Sequence, residues 1–186
     1  MTEKDILNLI EQDKWMMEII SRASALNLPD WIIGAGFVRN KVWDYLSGNK
    51  KEAVDTNDID LVYFDPNGND QETDEKLSEE LKKQTGINWE IVNEFYAHKW
   101  NNLPPYKSTE DAISQWPETV TAVGVTLGKD NKLKLIAPYG IEDLVHFIVR
   151  PSPDFRERLG VVEQRVKDKK WLEKWPQIKI ISEYNA

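Results

Sequence analysis

The run Asn57-Asp58-Ile59-Asp60-Leu61-Val62-Tyr63-Phe64 constrains this chain more than any other stretch. Two carboxylates, two residues apart, open an otherwise apolar segment that reads as a buried β-strand. Side chains at i and i+2 of a strand share a face, about 7 Å apart along the backbone. Asp58 and Asp60 therefore stand side by side, where uncompensated negative charges repel and lose solvation. A divalent cation shared by both, or two cations about 3.5–4 Å apart, removes that cost. The alternative is an edge strand carrying two solvated acids with no common purpose.

Upstream, Ile32-Ile33-Gly34-Ala35-Gly36-Phe37-Val38-Arg39 reads as a short strand entering a glycine turn that leads into a helix. Exposed N–H groups and an arginine, placed ahead of an acidic strand, suit a nucleoside triphosphate. Arg39 and Asn40 fall in the first helical turn, where backbone donors and the positive dipole end meet phosphate. Arg39 has a second role open to it, as partner of Asp58 or Asp60. Gly34 and Gly36 have one too, because glycine starts many turns for its freedom at positive φ.

Transfer of a phosphoryl or nucleotidyl group to a hydroxyl needs a further carboxylate on a neighbouring strand. Glu90, between Trp89 and Ile91 in an apolar run, is the candidate, since a lone carboxylate there is costly. Asn93 and His98 follow it and are expected at the border of the same cleft, a surface or capping histidine being the alternative for His98. Trp171 and Trp175, four residues apart in a terminal helix, are expected to face the core rather than to stack on bases.

The elements around these motifs give an α+β domain: a small mixed sheet with helices packed against it. An amphipathic helix is expected over residues 3–25, with Ile6, Leu7, Ile10, Met17, Ile20 and Ser24 along its apolar stripe. A second helix over 38–46 should pack Val38, Val42 and Tyr45 on the sheet. Turn-forming Asp65-Pro66-Asn67-Gly68-Asn69 precedes a charged helix over 72–83, anchored by Leu77 and Leu81 and stopped by Gly86. Strands are expected at 31–34, 58–64, 89–92, 121–127 and 133–137, the last two joined by the hairpin turn Gly128-Lys129-Asp130-Asn131. Ser108 should cap a short helix, another should span 141–147, and a helical extension should run over 154–175. A single domain over 1–186 is the expectation.

Composition removes several function classes. No cysteine is present, so disulfide scaffolds and thiolate metal sites are out, and a cytoplasmic location is expected. No stretch approaches about eighteen apolar residues, so no membrane partner is expected. The formal charge of −8 argues against broad nucleic-acid binding, but not against a small anionic ligand. The two histidines lack metal-ligand spacing, and neither a P-loop nor a glycine-flanked nucleophilic serine occurs.

These residues resemble the polymerase-beta-like nucleotidyltransferase fold, shared with tRNA CCA-adding enzymes and aminoglycoside nucleotidyltransferases. Ala35-Gly36-Phe37-Val38-Arg39-Asn40 is similar to the Gly-Gly-x-Val-Arg-Asp turn of CCA-adding enzymes, with Ala35 in place of the first glycine and Asn40 in place of the aspartate. A fuller resemblance, over nearly the whole chain, is to a family of small bacterial and fungal nucleotidyltransferase-like proteins. Its blocks are matched by Gly36–Asp44, Asp58–Asp65, Trp89–Asn93 with His98, Pro117–Val125, Ala137–Leu144, Lys170-Trp171 and Trp175-Pro176. Where that family shows Asn-Gln-Ala-Arg-Met-His, this chain has Asn93-Glu94-Phe95-Tyr96-Ala97-His98. The resemblance implies that Asp58 and Asp60 bind Mg2+ (or Mn2+) and the triphosphate. It implies that Glu90 joins them in holding the metal and activates the acceptor hydroxyl, and that Gly34, Ala35, Gly36, Arg39 and Asn40 hold the nucleotide. The partners would be an NTP and a small-molecule or macromolecular acceptor. The alternative function is a catalytically inactive nucleotide- or metabolite-binding module that retains the fold.

Overall fold

The acidic strand lies inside a five-stranded sheet of order β3-β2-β1-β4-β5. The computed structural model describes residues 1–49, 58–68, 71–99 and 103–181, so Asn57 and Asn69 of the motifs above lie outside the described residues. In chain order the elements are α1 (Glu3–Glu11), α2 (Lys14–Ala25), β1 (Ile32–Gly34), α3 (Gly36–Leu46), β2 (Ile59–Tyr63), α4 (Gln71–Thr85), β3 (Trp89–Asn93) and α5 (Glu94–Ala97). Then follow α6 (Thr109–Ser114), β4 (Gly124–Leu127), β5 (Leu133–Ile136), α7 (Glu142–Val145), β6 (Ile148–Val149), α8 (Leu159–Asp168), α9 (Trp171–Lys174) and β7 (Lys179–Ile180). β2 pairs with β3 in parallel, while β1 pairs antiparallel with β2 and β4, and β4 with β5. The sheet is therefore mixed, and the fold is the expected α+β class.

The two-residue period divides each strand between two environments. Ile33, Leu61, Ile91 and Val125 join the main core, covered by helices α1 to α4. Ile32 and Val62 point the other way and form a small cluster with Ile113 of α6, with Trp116, Val92 and Ile136 packed around them. Asp60 shares a face with Val62, and its ladder partner Glu90 shares that face with Val92. The carboxylates thus project from the thinly covered side of the sheet.

Several local expectations hold for their stated reasons. Gly86 ends α4 at φ +72°, and the side chain of Ser108 accepts from Asp111 N–H to cap α6. The turn after β4 closes with Gly128 N–H donating to the Lys132 carbonyl.

Others are corrected. The helix expected over 3–25 is two helices, because the Asp13 carboxylate accepts from Met16 N–H and starts a new one. That restart resets the buried stripe of α2 to Met16, Ile19, Ile20 and Ala23, leaving Met17 and Ser24 half-buried. Tyr45 is 58% exposed rather than packed on the sheet, while Val38 and Val42 are buried. The strand expected from Thr121 begins only at Gly124, since Thr121 and Ala122 N–H both turn back to the Glu118 carbonyl. The extension over 154–175 is a 3-10 turn (Pro153–Arg158) followed by α8 and α9, separated where Lys170 adopts left-handed φ +52°.

Aromatic packing decides where that extension lies. Trp43 of α3 sits at ring-centroid distances of 5.6 Å from Trp171 and 5.0 Å from Trp175. Trp175 Nε1 donates to Asp44 Oδ1 at 2.9 Å, so a buried indole N–H and a buried carboxylate satisfy each other. Trp171 and Trp175 face the core as expected, and they bring the charged residues between α8 and α9 over the end of the sheet. Among the described residues no helix is long and apolar enough to cross a membrane.

Candidate active site

A cleft of about 470 Å³ opens at the end of β2 and β3, beneath α8 and α9. Its volume falls in the range of small-molecule pockets. Asp58, Asp60 and Glu90 form one wall, each offering a carboxylate oxygen within 4.8 Å of the others. Asp60 and Glu90 meet because they are partners in the parallel ladder, and Asp58 joins them from just before β2. Glu90 itself is exposed, so the apolar neighbours that singled it out turn to the other face and impose no desolvation on it. Burial, then the charges of Asp58 and Glu90, push the Asp60 carboxyl up to about 7.

Hard oxygen donors without histidine or cysteine are the set that Mg2+ or Mn2+ prefers. Burial, and then the charges of Asp58 and Glu90, disfavour a further negative charge on Asp60, which a cation would offset. The three residues fit a divalent metal on both counts.

Most of the charged residues in the rest of the lining are cationic, Asp168 being the exception. Arg39, Arg165, Lys169, Lys170 and Lys174 all line the cleft, in a chain whose net charge is −8. Arg39 is only 3% exposed: Nε donates to Asn40 Oδ1 at 3.1 Å and Nη1 to Thr121 Oγ1 at 2.9 Å. Its guanidinium lies 4.2 Å from the Trp171 ring centroid. Burial pulls its pKa down to about 10, with Glu118 opposing that shift and Arg165 adding to it, so it stays charged at neutral pH. Glu118, fully buried, joins the two arginines: it accepts from Arg165 Nε and from Thr121 Oγ1, both at 2.7 Å.

The turn into α3 belongs to the same lining. Ala35 and Gly36 line the cleft, as do Arg39 and Asn40. Gly34 does not; it sits in β1 beneath Trp116, where a Cβ would come within 2.8 Å of the indole. Ala35 holds φ +51° and ψ −120°, a region suited to glycine.

Asn93 and His98 are not brought to the cleft. Asn93 instead bonds both ways to the backbone of Asp65, accepting from its N–H and donating to its carbonyl. His98 packs edge-on against Tyr106, with ring centroids 5.9 Å apart. Residues 93 and 90 differ by three, so the strand period alone separates them.

Sequence reasoning missed Trp116, Glu118, Thr121, Arg165 and the three lysines of the cationic wall. A basic run inside an acidic chain, Arg165 to Lys174, was the available signal.

The nucleotidyltransferase family matches residues 21–180 of this sequence. A solved protein whose NMR structure reveals a CCA-adding enzyme head domain is 34% identical, covering 98% of this chain and 97% of its own, at a TM-score of 0.86. A CCA-adding enzyme in complex with CTP aligns at 18% identity and TM-score 0.57. The Thermotoga maritima CCA-adding enzyme complexed with tRNA aligns at 16% identity and the same TM-score, 0.57. Both share the fold, and this chain covers only 43% and 42% of their lengths. No curated protein matches.

Proposed function

The chain belongs to the nucleotidyltransferase family, and from that premise we propose that it transfers a nucleoside monophosphate from an NTP to a hydroxyl-bearing acceptor. The observation that carries this reading is one cleft lined by three convergent carboxylates and by five cations, together with Asp168. A lone acidic cluster repels a triphosphate, and a lone cationic wall offers no place for a metal. Together they suit a metal-bound triphosphate.

Asp58, Asp60 and Glu90 would hold Mg2+ or Mn2+, which when bound offsets phosphate charge and aids in-line displacement at the α-phosphate. Asp60 must give up its proton to serve as a ligand. Glu90, the exposed member, would take the acceptor hydroxyl's proton. The N–H groups of the first turn of α3, from Gly36 onward, would donate to phosphate oxygens, while the Ala35 N–H is held by the Val123 carbonyl. Arg39 and Arg165, held by Glu118 and Thr121, supply charge without having to reorganise. The departures from the family pattern at Glu94 to Ala97 lie away from this cleft, so they give the inactive-module reading no support. A net charge of −8 favours an acceptor that does not present a long phosphate backbone.

The test is magnesium-dependent pyrophosphate release from the four NTPs in the presence of pooled acceptors, with Asp60→Asn as reference. Release by the parent and none by Asp60→Asn is the expected result. No release above the Asp60→Asn background across a broad acceptor pool would transfer the weight to a binding module.

A further inference from the structure

We propose that Trp116 forms an aromatic subsite on which the nucleobase of the bound nucleotide stacks; this rests on the nucleotidyl-transfer reading above. Three tryptophans line the cleft, but Trp171 and Trp175 are 2% and 0% exposed and belong to the core. Trp116 is half-buried and makes no ring pair or cation–π contact among the described residues. It is the cleft indole with surface left to offer.

Its position beside the metal-binding carboxylates follows from register. β1 and β2 pair Ile32 with Val62 and Ile33 with Leu61, and one further step sets Gly34 opposite Asp60. Trp116 rests on Gly34: a Cβ there would come within 2.8 Å of indole carbons Cη2 and Cζ3. The glycine therefore admits a large flat side chain next to Asp60, on the face where the carboxylates project. Only one ribose separates a nucleobase from its α-phosphate, so the base comes to rest on a wall adjoining those carboxylates.

The indole is also held in place. Thr109 bonds to Asp30 through its N–H at 2.7 Å and through its hydroxyl. Ile113 is fully buried against the sheet, and Tyr139 Oη donates to the Ser114 carbonyl at 2.5 Å. Trp116 N–H closes the last turn on the Ile113 carbonyl. A rigid aromatic wall binds a ring at low entropic cost. Stacking senses ring area and not the pattern of edge donors and acceptors. Purine nucleotides should therefore bind better than pyrimidine ones, with little separation of adenine from guanine.

Calorimetry in Mg2+ with two ligands, α,β-methylene-ATP and inorganic tripolyphosphate, tests this on the parent and on Trp116→Leu and Trp116→Phe. Trp116→Leu should weaken the nucleotide analogue by on the order of tenfold or more while leaving tripolyphosphate unchanged, and Trp116→Phe should keep most of the parent affinity. Tripolyphosphate binding by each variant reports that its cleft is folded. Equal losses for both ligands, or no loss for the analogue, would overturn the stacking role. Failure of the parent to bind either ligand would overturn the nucleotidyl-transfer reading beneath it.

Discussion

Asp60 and Glu90 face each other across the parallel pairing of β2 and β3, thirty positions apart in sequence and partners in one ladder. With Asp58 they crowd three carboxylates onto the thinly covered side of the sheet, oxygens within 4.8 Å. This arrangement has a cost in the absence of a cation, and the cost is measurable.

Asp60 carries most of it. Its carboxyl is pushed up to about 7 from an ordinary 3.8, by burial and by its acidic neighbours. The folded state therefore holds this proton more tightly than the unfolded one, and stability falls as pH rises between those two values. Asp60→Asn removes the dependence. In EDTA at pH 8 the variant should melt above the parent, and the gap should close toward pH 4. Adding Mg2+ at pH 8 should raise the parent's Tm and leave Asp60→Asn nearly unmoved. A parent that melts higher than the variant at pH 8 without metal would contradict this account.

Ala35 sits at φ +51°, ψ −120°, which an L side chain adopts only under strain. Ala35→Gly should relieve it. Set against the larger entropy of glycine in the unfolded chain, a net gain of about 1 kcal/mol is expected. Urea unfolding of the two proteins measures the difference directly. A lower midpoint for Ala35→Gly, at equal slope, would show that the turn is not strained.

Glu94 is 5% exposed, and burial pushes its carboxyl up to about 7 from 4.5. Its position corresponds to the glutamine of the family pattern, a neutral side chain of the same shape. Stability from this residue should be greatest at pH 4.5 and below and should decline as pH rises to about 7. Glu94→Gln should flatten that decline and raise Tm at pH 8, with little effect on ligand binding because the residue lies outside the cleft. An unchanged pH profile would refute it.

Much of the fold is legible locally. Gly86 and Ser108 end and begin helices because φ and capping chemistry depend on a few neighbouring residues. The same short range misleads at residues 3–25, where an unbroken apolar stripe hid the competing demand of Asp13 for a backbone N–H. Asn93 was misplaced against the chain's own period, for an odd spacing from Glu90 already turns it away.

The two-residue spacing of Asp58 and Asp60 is enough to call for a common counter-charge, although Asp58 stands just before β2 and joins Asp60 from outside the ladder. Which carboxylate joins them depends on β2 finding β3 in parallel and in register. The cationic wall depends on Trp171 and Trp175 docking against Trp43, and the aromatic wall on Trp116 settling over Gly34. Those contacts join residues far apart in the chain. Local patterning sets which side of an element is apolar, but the partner that buries it is selected only when all the elements compete to pack into one core.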